Sequence, residues 1–426
     1  MKESGLKRLI GNDYVFSVFV KIMMIVVGVI HSAFLARFLG AEMKGVATTI
    51  TSTVALLQVV VTCGIHQAYP YFKKQGEIRD FLKKFINNIY FIYLLMFAGI
   101  LLVLICLRSS ISEKNSFIVL LTPIFAYETI VGYIYLIENP KKRNLWNLIS
   151  SFVETLIIVF FWAVFEPNSS LMLVAISAAV IIRAVVSTVG LGVTVNVKQI
   201  SFLFIAKMLR FGIMPMIALI LTIMNSKIDV LMLDANAAVS SAAIGLYSVG
   251  VGVADKILAI PDAIRQILLS KLVSGQNEQE VARVTRISVA LCTGMALGIS
   301  VFGKLIINIL FGKEYAGAYS VLVIASFGTV FMVFLKMISQ YNIVNKKQFA
   351  NMIMLGVSVV VNICLNIVLI PHYGIEGAAI ASFAGHLVCA ICFIVYFYKK
   401  TGVGLRYLIL PQKEDFSVLL NFRKPH

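Results

Sequence analysis

Charge of either sign is scarce in this sequence, at 13% of 426 residues, and acids are the scarcer kind, with 20 Asp and Glu against 37 Lys and Arg. Soluble globular domains carry about 25% charged residues, so a soluble fold is excluded. The six cysteines lie in or at the edge of apolar runs and offer no loop framework for disulfides. Cys389 and Cys392 have CxxC spacing, but no partner His or Cys stands nearby in sequence, and they read as two buried thiols. His31 and His386 are isolated along the chain, so no metal site and no cofactor is expected. Long polar segments are missing too, the longest being the joint around 265–286 and the tail after Tyr398. Membrane glycan polymerases and glycosyltransferases usually carry sizeable external loops with acidic or metal-binding groups, and no such loop is present.

What the sequence does hold is apolar length. Runs at 14–36, 45–68, 86–107, 117–137, 145–165, 170–194, 207–230, 241–264, 287–307, 318–343, 349–370 and 375–398 each approach the roughly 20 residues that cross a bilayer as a helix. Barrel strands would alternate over about ten residues, so these continuous runs predict helices. The expected fold is all-α: a polytopic membrane protein of twelve transmembrane helices. The basic N-terminus precedes a run too long for a signal-peptide core, with no small-residue exit, which predicts a retained first helix.

Lys and Arg gather in the N-terminal tail, in the joints after spans 2, 4, 6, 8 and 10, and in the C-terminal tail, while the opposite joints hold few. The positive-inside rule then places both termini in the cytoplasm. The net charge of +17 follows from that topology and from attraction to anionic membrane lipids, and needs no nucleic acid.

Weak internal echoes suggest a duplication. The Gly turn of Phe38–Gly45 after the first span has a counterpart in Ala243–Tyr247 after the seventh, and Asn139–Asn144 is echoed by Asn345–Gln348. The expected domains are an N-lobe over 1–198, a C-lobe over 199–398 and a basic cytoplasmic tail over 399–426. Two six-helix lobes would flank a central cavity.

The segments FLARFLGAEMKGVA (34–47), AAIGLYSVGVGVADKILAIPDAIRQ (242–266), LFGKEYAGAYSVL (310–322) and NKKQFANMIMLGVSVVVNICLNIVLIPHYGIEGAAIAS (345–382) carry a resemblance over nearly the whole chain. The sequence resembles the polysaccharide-repeat-unit flippases, the Wzx-like branch of the multidrug/oligosaccharidyl-lipid/polysaccharide exporter (MOP) superfamily. Its most specific stretch is Pro371–Ala379, where a Pro ends one helix, a Gly allows the turn and small residues let the next helix pack closely. The resemblance implies a two-lobed transporter of the bacterial cytoplasmic (inner) membrane. It would move an undecaprenyl-diphosphate-linked oligosaccharide outward for O-antigen- or capsule-type polysaccharide, with a coupling ion, proton or sodium, and a glycan polymerase as partners. Lipid II flippases of the same superfamily usually have two further helices, for which this chain has no room.

Residue chemistry adds candidates. A Lys or Arg at the centre of a span costs about 2.5–3.5 kcal/mol on insertion scales, so Lys21, Arg183, Lys256 and Lys336 should face water, an acid or substrate. Lys21 shares a helix face with Ser17, Gly28 and Ser32, and snorkelling competes with a substrate role for it. Lys256 lies beside a stripe of Ser248, Gly252, Asp255 and Asp262, and Lys336 shares one with Ser326, Thr329 and Gln340. Ammonium and guanidinium groups suit a diphosphate. Asp255, Glu154 and Asp229 are ion-coupling candidates, each equally able to serve as a fixed counter-ion, as is Glu128. Gln340, Asn362 and Asn366 are candidates for sugar contact, the last two one turn apart. Two rival functions are a small-molecule or drug antiporter of the same superfamily, for which the excess of buried cations is the wrong sign, and a membrane glycan polymerase.

Overall fold

The computed structural model describes residues 13–75, 80–106, 112–273, 278–410 and 412. Among the described residues there are helices and no strand. In order they are α1 (Asp13–Thr62), α2 (Ile65–Gln75), α3 (Phe81–Cys106), α4 (Glu113–Glu138), α5 (Pro140–Val164), α6 (Ser169–Leu191) and α7 (Phe202–Ala235), then α8 (Ser241–Ala254), α9 (Ala259–Val273), α10 (Glu278–Leu310), α11 (Ala318–Val344), α12 (Gln348–Thr401) and α13 (Leu405–Ile409). Among the described residues ten segments are long and apolar enough to cross a membrane, α8 and α9 counting together as one. Two of them, α1 and α12, are each a pair of helices joined at a non-helical glycine, Gly40 at φ 69° and Gly374 at φ 54°. Positive φ costs a glycine nothing, so one residue suffices to separate two spans. The twelve expected spans are therefore all present, and the chain is a multi-pass membrane protein.

Local chemistry sets the other boundaries. Ser112, Asn168 and Ser240 cap α4, α6 and α8 by accepting from Asn115, Ser170 and Ala243 backbone N–H groups. Pro140 opens α5, where its missing N–H is harmless. Pro261 acts differently: it cannot donate to the Ile257 carbonyl, and just ahead of it Asp255–Leu258 tightens into a 3-10 turn that separates α8 from α9. The Cys292 thiol reaches the Ile257 carbonyl at 3.8 Å. Pro215, by contrast, does not interrupt its span; α7 runs through it as one helix.

By packing, the chain divides into two compact units, 1–227 and 228–426. The first unit centres on Tyr69, Phe85, Ile89, Tyr93, Ile130, Tyr135 and Met208. Gly190 makes room for Tyr135, whose ring would stand 2.6 Å from a Cβ there. The second unit centres on Ile257, Cys292, Val333, Met337, Phe393 and Phe397. Apolar side chains such as Leu94, Val185 and Val301 remain exposed, as suits surfaces that meet lipid.

In the first unit the segment after α6 is fastened to α3 by two buried asparagines. The Asn87 amide donates to the Gln199 side chain at 3.1 Å, and its carbonyl oxygen accepts from the Asn196 backbone at 2.6 Å. Asn88 donates to the Gln199 carbonyl at 3.1 Å and accepts from Ser201 at 2.8 Å. Buried amides need such partners, and a polar connecting segment supplies them.

Candidate functional site

Among the described residues, three groups of charged side chains within the spans bear on function. The first lies in the first unit, where α1, α4, α5 and α6 contribute one residue or more each. Glu128 of α4 accepts from the Arg143 guanidinium of α5, and Arg183 of α6 stands 3.9 Å away from the same carboxylate oxygen. Arg183 also stands 4.0 Å from Glu154, whose other oxygen is 3.6 Å from His31 Nε2. Arg143 donates to Ser187 at 3.2 Å, and His31 Nδ1 is 3.4 Å from the Thr155 hydroxyl. Arg143 needs space to reach Glu128, and Gly132 supplies it, since a Cβ there would fall 2.4 Å from the guanidinium. Two arginines thus face two glutamates, all between 10% and 21% exposed. Buried charges of opposite sign and equal number satisfy one another, and the group is close to neutral.

The second place is a lone carboxylate in the second unit. Asp229 of α7 is 4% exposed and accepts from Tyr247 at 2.8 Å, from Asn362 at 3.0 Å, from Asn366 at 2.7 Å and from Ser382. No basic side chain among the described residues forms an ion pair with it. Hydrogen bonds alone hold its charge, which is the arrangement of an anion solvated by the protein itself. The Oδ1 atom of Asn366, a fully buried residue, has no hydrogen-bond partner among the described residues.

The third place, also in the second unit, is richer in cations. Lys336 of α11 donates to Asp262 of α9 at 2.7 Å, and Arg265 stands 3.9 Å from the same carboxylate oxygen. Lys336 is 16% exposed, whereas Asp262 and Arg265 are each 42% exposed. Lys256 is exposed on the 3-10 turn and forms no ion pair among the described residues.

The candidates read from sequence distribute as follows. Lys256 and Lys336 stand in the second unit, Lys336 engaged by Asp262. Arg183 and Glu154 meet in the first unit. Asp229, Asn362 and Asn366 form one network, so the two asparagines are engaged by a carboxylate. Gln340 bonds within its own helix, to the Lys336 carbonyl at 3.3 Å and Ser339 at 3.0 Å. Asp255 is exposed and sits at the end of α8, where the continuous helical stripe expected from its spacing breaks into the 3-10 turn. Lys21 belongs to α1, but its side chain lies outside the described residues.

His31, isolated along the sequence, is engaged by Glu154 in space. Arg143 and Arg265, counted from sequence among the joints, carry ion pairs. The sequence did signal Arg143 in one way: it stands three residues after a helix-opening Pro, on the first turn of a span.

An all-helical, multi-pass chain whose spans carry ionic clusters defines a class, and whole-chain comparison sharpens it. The fold is similar to that of the lipid II flippase MurJ in an inward closed conformation, with TM-score 0.73 and 13% identity over 97% of this chain and 94% of that one. It is also similar to a multidrug resistance MATE family transporter of the MOP superfamily in an inward-facing conformation, with TM-score 0.61 and 13% identity over 92% of this chain and 100% of that one. The chain shares the fold of these two structures.

Within that class, residues 11–266 match the family described as "Polysaccharide biosynthesis protein", and the chain belongs to that family. A stretch of 122 residues is 34% identical to an uncharacterized membrane protein of Methanocaldococcus jannaschii, covering 28% of this chain and 24% of that protein. The match thus spans about a quarter of that curated relative's length.

Proposed function

We propose that the protein is a flippase that carries an undecaprenyl-diphosphate-linked oligosaccharide repeat unit from the inner to the outer leaflet of a bacterial cytoplasmic membrane, by alternating access, for surface polysaccharide synthesis. The observation that carries this reading is the cation-rich group of the second unit, where Lys336 and Arg265 share one half-exposed acid. Excess positive charge at the surface of a span favours an anionic headgroup and disfavours export of organic cations. Lys256 and Lys336 are assigned to the diphosphate, Lys21 is kept as a separate candidate for an anionic headgroup, and Arg183 has a secondary role because two glutamates already face it.

Coupling is assigned first to Asp229. Its carboxylate, bonded by the Nδ2 of Asn366, whose own buried Oδ1 has no partner among the described residues, is assigned to a proton or a sodium ion. In this reading Asn362 and Asn366 serve the ion rather than the sugar. Glu154 and Asp255 are second choices for coupling. The polyprenyl chain stays in lipid while the headgroup passes, and no bond is made or broken, so the protein acts as a transporter and not as an enzyme.

Deletion of the gene followed by analysis of lipid-linked oligosaccharides tests the proposal. Complete repeat units held in the inner leaflet with no surface polymer are expected. Single repeat units displayed outside would assign the chain to polymerisation instead.

A further inference from the structure

We infer that Asp262 holds the place of a ligand phosphate between Lys336 and Arg265, and gives that place up when a diphosphate binds. The inference rests on the diphosphate reading above and adds to it Arg265 as a ligand and Asp262 as an internal competitor. One carboxylate oxygen serves both cations, at 2.7 Å from Lys336 Nζ and 3.9 Å from Arg265 Nε. The three side chains therefore carry one positive charge more than they neutralise. The acid and the arginine are each 42% exposed and the lysine 16%. In this inference an anion that takes both cations replaces Asp262 between them.

A phosphate carries more charge than a carboxylate and offers more acceptor oxygens, so it can satisfy both cations at once, Arg265 through its planar fork. A carboxylate waiting in the same position keeps Lys336 from being left unpaired between cycles, and its return helps to expel the ligand. The arrangement trades affinity for release, which a carrier needs. Because α9 starts just after the 3-10 turn that carries Lys256, a change in the turn would move Asp262 and Lys256 together.

The test is inorganic pyrophosphate binding to the purified full-length protein by calorimetry, with undecaprenyl diphosphate in detergent and inorganic phosphate as parallel probes. Asp262→Asn should bind pyrophosphate more tightly, by about fivefold to tenfold, because the competitor is gone. Lys336→Met and Arg265→Met should each bind about tenfold more weakly, and the gain from Asp262→Asn should vanish in the Lys336→Met background.

Unchanged or weaker binding in Asp262→Asn overturns the inference while leaving the diphosphate reading intact. Failure of the unaltered protein to bind either diphosphate overturns both. Equal affinity for inorganic phosphate and the diphosphates overturns the headgroup assignment. Should Asp262→Asn fold poorly, Asp262→Glu supplies the second measurement: its longer arm keeps the competitor, so affinity should not rise, and a rise there counts against the inference.

Discussion

The two units treat buried charge in opposite ways. In the first, Arg143 and Arg183 face Glu128 and Glu154, and the four charges cancel behind a shared surface that is at most 21% exposed. In the second, the charges are not balanced: Asp229 is buried with only neutral donors around it, while Lys336 and Arg265 share a single half-exposed Asp262. A cancelled cluster has little left to offer a ligand and fixes four helices in register. Unbalanced charges are costly to keep and are available to cations at one place and anions at another. If the halves arose by duplication, as the sequence echoes suggest, one has turned its charges to architecture and the other to exchange.

The sharpest way to break this contrast is Arg143→Met. Removing one partner of a buried, balanced group leaves Glu128 facing only the more distant Arg183, and about 3–5 kcal/mol of stability should be lost. Thermal unfolding in detergent reads the effect, and a shift as small as that of a surface substitution would show that the first cluster is not structural.

Asp229→Asn comes next. The side chain keeps its shape but presents N–H groups to donors that had faced oxygen, which should cost about 1–3 kcal/mol. The decisive readout is ion dependence: transport or unfolding that responds to sodium or to pH in the unaltered protein should lose that response. A response that survives in Asp229→Asn moves the coupling site to Glu154 or Asp255.

How much of this was legible beforehand depends on the distance over which the information acts. The spans were legible because hydropathy is a local property, and so were the turns at Gly40 and Gly374, which FLG and HYG mark. The chemistry was legible as an inventory, since a Lys or Asp inside an apolar run stands out whatever surrounds it.

Pairing was not legible. Lys336 and Asp262 are 74 residues apart, and Asp229 draws its donors from α8 and from both helices of α12. Helical stripes also misled where the helix does not continue: Asp255 and Asp262 share a face only on an unbroken helix, and a 3-10 turn stands between them just ahead of Pro261. His31 was set aside for want of a neighbour in sequence, yet Glu154 reaches it across helices.

A smaller effect should follow from Asn88→Ala in the first unit. Its amide is fully buried and bonds the Gln199 carbonyl and the Ser201 N–H, so its loss strands both, at about 1–2 kcal/mol. Hydrogen exchange at Ser201 should quicken in the variant. Were exchange there unaffected, the segment after α6 would be held by something other than the asparagine pair.

The smallest effect on stability is expected at Lys256, and it tests the second unit from the other side. The side chain is exposed on the 3-10 turn and forms no ion pair among the described residues, so Lys256→Met should leave the unfolding temperature nearly where it was, within about 0.5 kcal/mol of stability. A structural cation could not be removed so cheaply, as the Arg143 substitution will show. A cation kept for a ligand can be, and its removal should appear instead as weakened pyrophosphate binding and slowed translocation. If Lys256→Met transports normally, the exposed charge belongs to the lipid surface, and the headgroup must rely on Lys336 and Arg265.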